Sequence, residues 1–271
     1  SVNIAAGETD ATVVVDTEGY DDDSVEGNET VIVTLDEADH ALVEVGEPDS
    51  ATVTIADDDS PGVTISASGG TTAVAEGGAT DTHSVGITTQ PAADKQVVIT
   101  ATPTNAQIDL GAGTGEAVDL VFTDADWDTP QTVTVTAVDD DLLEASHTSG
   151  VSYSINTDET DDEDYLEYEE PLPTLSVSIT DNDTATANLS ANDGSETGPA
   201  HITYTVTLDK ANNTGSGITF TLNPSGGTAI ATDDYANFAN TTVTVPNGAS
   251  SGAANVAVVD DGLLEGDETV S

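Results

Sequence analysis

The sequence predicts an all-β protein built from tandem antiparallel β-sandwiches, with about seven strands in each complete unit. Short runs rich in valine, isoleucine and threonine recur along the chain, and glycine, proline or acidic residues separate them, as is typical of strands and turns. In Thr132–Thr136 valines alternate with threonines, which places valines on a buried face and threonines on the opposite face. No segment shows the periodicity of an amphipathic helix.

An acidic block that occurs three times indicates that the chain is a repeat array. Its glutamates, Glu26, Glu144 and Glu265, are 118 and 121 residues apart. A second acidic tag closes a strand after Ile55 and again after Ile179, which is 124 residues later. A period of about 120 residues is typical of one domain type repeated in tandem. Because carboxylates recur at one end of each unit, we expect the units to bind a cation there.

Composition narrows the function classes. The chain has 52 acidic residues against two lysines, and its formal net charge is −50. Such a charge opposes binding to nucleic acid and to anionic membrane surfaces. There is no cysteine, so disulfides and thiolate metal sites are excluded, and no apolar run is long enough for a membrane span. The self-repulsion must be offset by bound divalent ions, by high salt, or by both.

The turns and the repeat positions divide the chain into three predicted units. Residues 1–60 are the C-terminal part of a sandwich, residues 61–183 a complete sandwich, and residues 184–271 the N-terminal part of another. Ser60–Gly62 marks the first boundary because its proline and glycine cannot continue a central strand. Trp127 is expected to fill a core. The predicted strands are Ala11–Asp16, Thr30–Leu35, Ala51–Ala56, Val63–Ala67, Thr82–Thr88, Gln96–Thr102, Ala117–Phe122, Gln131–Val138, Gly150–Asn156, Thr174–Thr180, Ala185–Ser190, Ile202–Leu208, Ile218–Leu222, Thr241–Val245, Ala253–Val259 and one from Thr269 onward.

The two ends of the chain cover much the same part of the repeat, at residues 2–31 and 243–271. We therefore expect a segment of a longer repetitive protein, whose partners are neighbouring repeats of the same chain. The alternative is that separate copies join into a filament by completing each other's open sheets through strand addition.

At several motifs the chain resembles the Calx-beta family, which is found in sodium/calcium exchangers and large bacterial surface proteins. The third unit has Gly227–Ala229, Asp233–Tyr235 and the segment from Val259 to Thr269, and the first unit has Glu26–Thr30. The middle unit departs from the pattern after Glu144, and its segment 126–133 looks like variant repeats of giant bacterial adhesins. The resemblance implies seven-stranded immunoglobulin-like sandwiches that bind calcium.

The resemblance also implies the ligands, which are carboxylates of the first strand's end, the penultimate hairpin and the closing tag. In the middle unit, where all three contributors are present, they are Glu76, Asp139, Asp140, Asp141, Glu144, Asp181 and Asp183. In the first unit they are Asp22, Asp23, Glu26, Glu29, Asp57, Asp58 and Asp59. In the third unit they are Glu196, Asp234, Asp260, Asp261, Glu265 and Glu268. Several Ca²⁺ ions are therefore expected, since calcium takes six to eight oxygen ligands.

One alternative to calcium binding stays open for these acids. They can form a surface adapted to high salt, in keeping with the many carboxylates outside the clusters. A further acidic run at residues 158–170 is expected to be a solvated loop, with an additional ion site or a contact made by Tyr165 and Tyr168 as the alternative.

No catalytic constellation is found, so we expect no enzyme. Gly248–Gly252 has the spacing of a nucleophile elbow but lies between two predicted strands, where that motif has a strand–turn–helix. A glycosidase pair needs aromatic sugar platforms, and aromatic residues make up 4% of the chain. The histidines are scattered without metal-ligand spacing, at His40, His83, His147 and His201.

The preferred hypothesis is a structural segment of an extracellular, calcium-stiffened surface protein, such as an adhesin stalk or a filament. One alternative is a calcium-sensing regulatory module, for which tight affinity and a large shape change are expected. Another is a carbohydrate- or protein-binding adhesin region, for which an exposed aromatic cluster is expected.

Overall fold

The structure is a computed structural model that describes residues 2–15, 17, 22–198, 200–260 and 266–270. Strands dominate this part of the chain, and its helical segments are a 3₁₀ turn at Ser68–Gly70 and the one-turn helix α1 at Glu163–Leu166. None of its helices has the length and apolar character of a membrane span. The strands are β1 Glu29–Thr34, β2 Ser50–Ile55, β3 Val63–Ala67, β4 Thr72–Ala75, β5 Asp81–Ile87, β6 Gln96–Pro103, β7 Ile108–Asp109, β8 Val118–Thr123, β9 Gln131–Ala137, β10 Leu143–Glu144, β11 His147–Ile155, β12 Leu175–Thr180, β13 Ala187–Asn192, β14 Ile202–Leu208, β15 Asn212–Asn213, β16 Ile218–Leu222, β17 Thr241–Val245 and β18 Ser251–Val256.

The middle part of the chain forms a β-sandwich. Its five-stranded sheet has the order β4-β12-β11-β6-β8, and its four-stranded sheet has the order β3-β5-β9-β7. Side chains of both sheets, among them Val85, Ile99, Phe122 and Val177, form one buried cluster. β9 follows the expected alternation, since its valines are buried and its threonines exposed. The predicted all-β sandwich fold is therefore confirmed.

The seven strands predicted for this sandwich are all present, with bounds that shift by up to three residues. The sequence did not predict β4, β7 or β10. Strand β4 pairs in parallel with β12, whereas the other strand pairs within the two sandwich sheets are antiparallel. Trp127 is partly buried and packs against the core, as predicted.

The third part of the chain has a second core. Strands β13, β14 and β18 form one sheet, β16 and β17 form another, and Tyr204, Phe238 and Val243 lie in the buried cluster between them. The strand expected from Thr269 onward is reduced, in the described residues, to a bridge between Val270 and Gly227. A short parallel pair, β10 with β15, joins this part of the chain to the middle sandwich.

The first part of the chain forms a β1–β2 hairpin in antiparallel register. The strand predicted at Ala11–Asp16 is wrong for residues 11–15, which have no strand pairing, while Asp16 lies outside the described residues. Val14 is 82% exposed, so the apolar run has no sheet to pack against. A strand depends on a partner for its backbone hydrogen bonds, and the hairpin provides none for this segment. The division at residues 60 and 183 stays a prediction.

Eight of the nine acids in the run at residues 158–170 are exposed, as expected for a solvated segment, but the alternative contact through Tyr165 is also present. Asp162 caps α1 by accepting a hydrogen bond from the Tyr165 backbone nitrogen, and it also accepts one from the Ala92 nitrogen. Tyr165 is 1% exposed and belongs to the core cluster. Its hydroxyl lies 3.1 Å from the Thr89 nitrogen and 3.2 Å from the Thr89 carbonyl oxygen. The helix therefore fixes the acidic segment to the sandwich.

Replacing Tyr165 with phenylalanine should destabilise the middle sandwich by about 1–3 kcal/mol, because the buried Thr89 nitrogen loses its hydrogen-bond acceptor. The measurement is the free energy of unfolding in urea. Tyr168→Phe is the matched control, since Tyr168 is only partly buried and the loss of its hydroxyl should change stability little. Equal effects of the two substitutions would contradict this assignment.

Candidate metal centre

Strand β4 places Glu76 beside the closing acidic tag. The parallel register pairs Ala75 with Thr180, and the Glu76 nitrogen donates to the Thr180 carbonyl oxygen at 3.1 Å. The Asn182 side-chain nitrogen donates to the Glu76 carbonyl oxygen at 2.9 Å. The end of β4 and the end of β12 therefore hold a glutamate and the tag against each other.

Glu76 is 2% exposed, which is unusual for a carboxylate. Neither of its carboxylate oxygens has a hydrogen-bond partner among the described residues. Burial raises the pKa of Glu76, and the nearby charges of Asp140, Asp181 and Glu144 raise it further. The ionised form is therefore costly until a proton or a cation neutralises it.

Two further carboxylates face Glu76 to make an oxygen-only group. Ligand atoms of Glu76, Asp140 and Asp183 all lie within 4.8 Å of one another. The Asp140 carboxylate accepts a hydrogen bond from the Leu142 nitrogen at 2.8 Å, which holds its loop in place. One Asp183 oxygen, Oδ2, is buried without a partner in the described part of the chain, and the other binds the Lys210 ammonium.

Glu144 belongs to a second group around the same glutamate. Glu76, Glu144 and His147 each provide a ligand atom, and these atoms also lie within 4.8 Å of one another. His147 Nδ1 is 3.5 Å from Glu144 Oε2. The structure thus brings together four of the seven residues predicted for the middle unit, and adds a histidine.

Asp181 has a positioning role. Its two carboxylate oxygens accept hydrogen bonds from the Glu144 nitrogen at 2.6 Å and from the Asp183 nitrogen at 2.7 Å. The carboxylate therefore orients two members of the cluster, and it is absent from both ligand groups. Removing it would shift both Glu144 and Asp183.

Asp139 and Asp141 also lie outside the two ligand groups. The Asp139 carboxylate accepts a hydrogen bond from Asn182 at 3.2 Å, and Gly77 leaves room for this pair, because a Cβ there would lie 2.7 Å from the Asn182 nitrogen. The Asp141 side chain is fully exposed and lies 3.6 Å from the Lys210 ammonium. Neither contact depends on a bound metal ion.

The first unit repeats the same positioning device. Asp57 accepts hydrogen bonds from the backbone nitrogens of Glu26, Gly27 and Asp59 at 3.1, 2.9 and 3.1 Å. These bonds lower the pKa of Asp57, whereas the charge of Asp22, followed by Glu29, raises the pKa of Glu26. One pocket is lined by six of the seven predicted acids, Asp22, Glu26, Glu29, Asp57, Asp58 and Asp59. The exception is Asp23.

The predicted third-unit acids are not gathered in the described part of the chain. Asp234 accepts a hydrogen bond from the Ile230 nitrogen, and its carbonyl oxygen accepts one from Val259. Glu196, Asp260 and Glu268 are exposed, and Glu268 interacts with another residue. Among the described residues, none of these acids belongs to a candidate ligand group. Asp261 and Glu265 lie outside the described residues.

Sequence spacing missed two residues of the middle cluster. His147 is distant in sequence from Glu76 and reaches it because β11 begins beside β12, with His147 paired to Ile179. Lys210 comes from the third part of the chain, and Asp183 is the first cause of its raised pKa. The signal for Lys210 was its rarity, since it is one of two lysines in the chain.

A family model described as Calx-beta domain matches residues 2–59, 114–183 and 181–271. Residues 60–113, which contain Glu76, lie outside these matches. Similar solved structures include the crystal structure of CBD12 from CALX1.2 and that of calcium binding domain CBD12 of CALX1.1. Each structure is 14% identical in sequence to this chain, with a TM-score of 0.31. The first match covers 72% of this chain and the second covers 73%, and each covers 76% of the chain in the solved structure. The comparison with curated proteins finds no match.

The cation-free chain should lose stability as the pH rises from the ordinary glutamate pKa of 4.5 through the raised pKa of Glu76. The folded state holds the Glu76 proton more strongly than the unfolded state, so this contribution is complete below pH 4.5 and is lost as the pH rises through the raised pKa of Glu76. In chelator, at a pH above the raised pKa of Glu76, Glu76→Gln should stabilise the chain by about 1–3 kcal/mol because it removes a buried unpaired charge. Urea unfolding of both proteins across this pH range is the measurement, and parallel pH profiles would contradict the assignment.

Proposed function

Because this chain belongs to the Calx-beta family, whose domains are calcium-binding modules without catalysis, we propose that its middle sandwich binds calcium through Glu76, Asp140 and Asp183. The chain is then a structural segment of an extracellular surface protein, an adhesin stalk or a surface filament, which calcium stiffens. The observation that carries the proposal is the buried Glu76 carboxylate, which has no hydrogen-bond partner in the described chain and faces other acids.

The donor chemistry fits calcium. Glu76, Asp140 and Asp183 offer hard carboxylate oxygens, and a calcium ion accepts six to eight such ligands in flexible geometry, with water completing the set. When bound, calcium supplies two positive charges to a cluster whose acids otherwise repel one another. Calcium then stabilises the folded state mainly because it lowers the free-energy cost of burying the ionised Glu76.

Calcium would stiffen the chain because the cluster around Glu76 lies where the middle sandwich meets the third part of the chain. Asp183 belongs to the cluster, its Oδ1 binds Lys210, and its Oδ2 is buried without a partner in the described chain. The β10–β15 pair begins at Leu143, next to Asp140–Leu142, and Glu144 is part of it. Ordering the acidic loop therefore also orders the residues that contact the next unit.

The acidic pocket of the first unit supports a second calcium site. The charges of Asp22 and Glu29 lie close enough to Glu26 to raise its pKa. A bound cation would relieve this repulsion between carboxylates. These acids are more exposed than Glu76, so we expect weaker binding there. The proposed partners of the whole segment are neighbouring repeats or other copies in a filament, and its net charge of −50 disfavours nucleic acid.

Calcium should raise the unfolding temperature in a way that sodium does not reproduce. At the affinities of extracellular modules, about 10 mM calcium stabilises a one-site protein by about 1.4–2.7 kcal/mol. Thermal unfolding is measured in chelator, in calcium and in molar sodium chloride. Asp140→Asn should remove most of the calcium effect, whereas Asp141→Asn, which removes the same charge from an exposed neighbour, should keep it.

An equal gain in sodium chloride alone would contradict the calcium site and would identify the acids as a surface adapted to high salt. Equal losses in the two aspartate variants would contradict the assignment of Asp140 as a ligand. The two outcomes are separable because the first concerns the wild-type chain and the second concerns the difference between adjacent residues.

A calcium-sensing module is the second candidate, and the Lys210 contact favours it. The ammonium binds Asp183 and lies 3.6 Å from Asp141, so the cation that neutralises the cluster and the lysine of the third part act on the same carboxylate. Competition between them would loosen this contact and change the angle between units.

Small-angle X-ray scattering separates the two candidates. For the stalk, calcium should sharpen the distance distribution without shifting its maximum, and the affinity should be near millimolar. For the sensor, the maximum dimension should change at micromolar calcium, and Lys210→Gln should produce that change without calcium. A wild-type profile that does not respond to saturating calcium would contradict both mechanisms.

A further inference from the structure

On one side of the cluster a histidine, His147, adds an imidazole nitrogen to the carboxylate oxygens as a potential metal ligand. Glu76, Glu144 and His147 each present a ligand atom within 4.8 Å of the other two. Glu144 Oε2 and His147 Nε2 are buried and have no hydrogen-bond partner in the described part of the chain, and the same is true of both Glu76 carboxylate oxygens. Side chains from β10, β11 and the end of β4, each with at least one unpaired ligand atom, therefore meet at one place.

The tautomer of His147 leaves one ring nitrogen available. Nδ1 lies 3.1 Å from the Ala145 carbonyl oxygen, which accepts hydrogen bonds and donates none, so Nδ1 carries the hydrogen. Nε2 then has a lone pair. Histidines that bind metals commonly have this arrangement, with one ring nitrogen donating to a carbonyl oxygen and the other bound to the ion.

A simple ion pair between His147 and Glu144 does not account for these contacts. A doubly protonated imidazole would place a buried Nε2–H group where no acceptor of the described residues lies in hydrogen-bond geometry, which costs free energy. It would also leave both oxygens of Glu76 unpaired. A metal ion satisfies the imidazole lone pair and the carboxylates together.

We propose that Glu76, Glu144 and His147 form a subsite for a divalent transition metal of the zinc class, next to the oxygen-only calcium subsite. Imidazole nitrogen suits zinc, copper and nickel, whereas calcium prefers oxygen donors, so His147 is the selecting residue. Two carboxylates and one imidazole leave a coordination position for water. This inference rests on the proposed function because the two subsites share Glu76, whose two carboxylate oxygens are both unpaired in the described chain.

The test is a cobalt(II) titration of the full chain in about 10 mM calcium, followed by visible absorption, with zinc affinity measured by competition. Wild type should develop the absorption of nitrogen-coordinated cobalt. His147→Asn should lower the affinity for cobalt and zinc by about tenfold or more, a loss that removal of even an outer-shell partner can cause. His40→Asn is the matched control, since it removes an imidazole from an exposed position.

A second measurement uses the wild-type chain, so its result does not depend on whether the His147→Asn variant folds. Nitrogen NMR of the four histidines should show that zinc shifts the His147 Nε2 signal and leaves the His40 ring unchanged. Zinc affinity that is unaffected by His147→Asn, or a His147 signal that zinc does not shift, would overturn the subsite. Calcium stabilisation without zinc binding would overturn this inference alone, whereas the absence of calcium stabilisation would overturn the proposed function.

Discussion

A carboxylate that is buried without a hydrogen-bond donor raises the free energy of the folded chain until a proton or a cation neutralises it. Glu76 is held in that condition by the parallel pairing of β4 with β12, because the register that satisfies its backbone nitrogen also carries its side chain into the sandwich end. Asp140, Asp183 and Glu144 converge on the same point through the loops that follow β9 and β12. The fold thus concentrates charges that a chain with a net charge of −50 would otherwise keep apart.

The closing tags show how the fold tolerates this concentration. The first acid of each tag, Asp57 in one unit and Asp181 in the next, accepts backbone hydrogen bonds from a glutamate loop and from the residue two positions later. These bonds satisfy a carboxylate without a cation and fix the neighbouring acids in position. Neighbouring acids of one motif therefore differ in role, since Asp181 positions the site whereas Asp183 has an unpaired oxygen.

The strands of both cores were largely predictable from the sequence, because alternation of valine with threonine directly encodes which face is buried. Strands β14, β16 and β17 begin and end where the pattern predicts. Strand β4 was missed because four residues after a glycine pair carry little signal and its partner, β12, is about a hundred residues away. His147 and Lys210 were missed for the same physical reason, since only strand pairing and the junction between units bring them to Glu76 and Asp183. The resemblance to Calx-beta domains predicted the acids of the site, but it did not show which acids are ligands.

The most direct measurement is anomalous X-ray diffraction from crystals of the chain grown with calcium. The proposed calcium site predicts a calcium peak about 2.3–2.6 Å from a carboxylate oxygen of Glu76, with Asp140 and Asp183 in the same coordination shell. Saturating calcium that leaves Glu76 without a bound ion, with peaks confined to exposed acids such as Asp141, would contradict it.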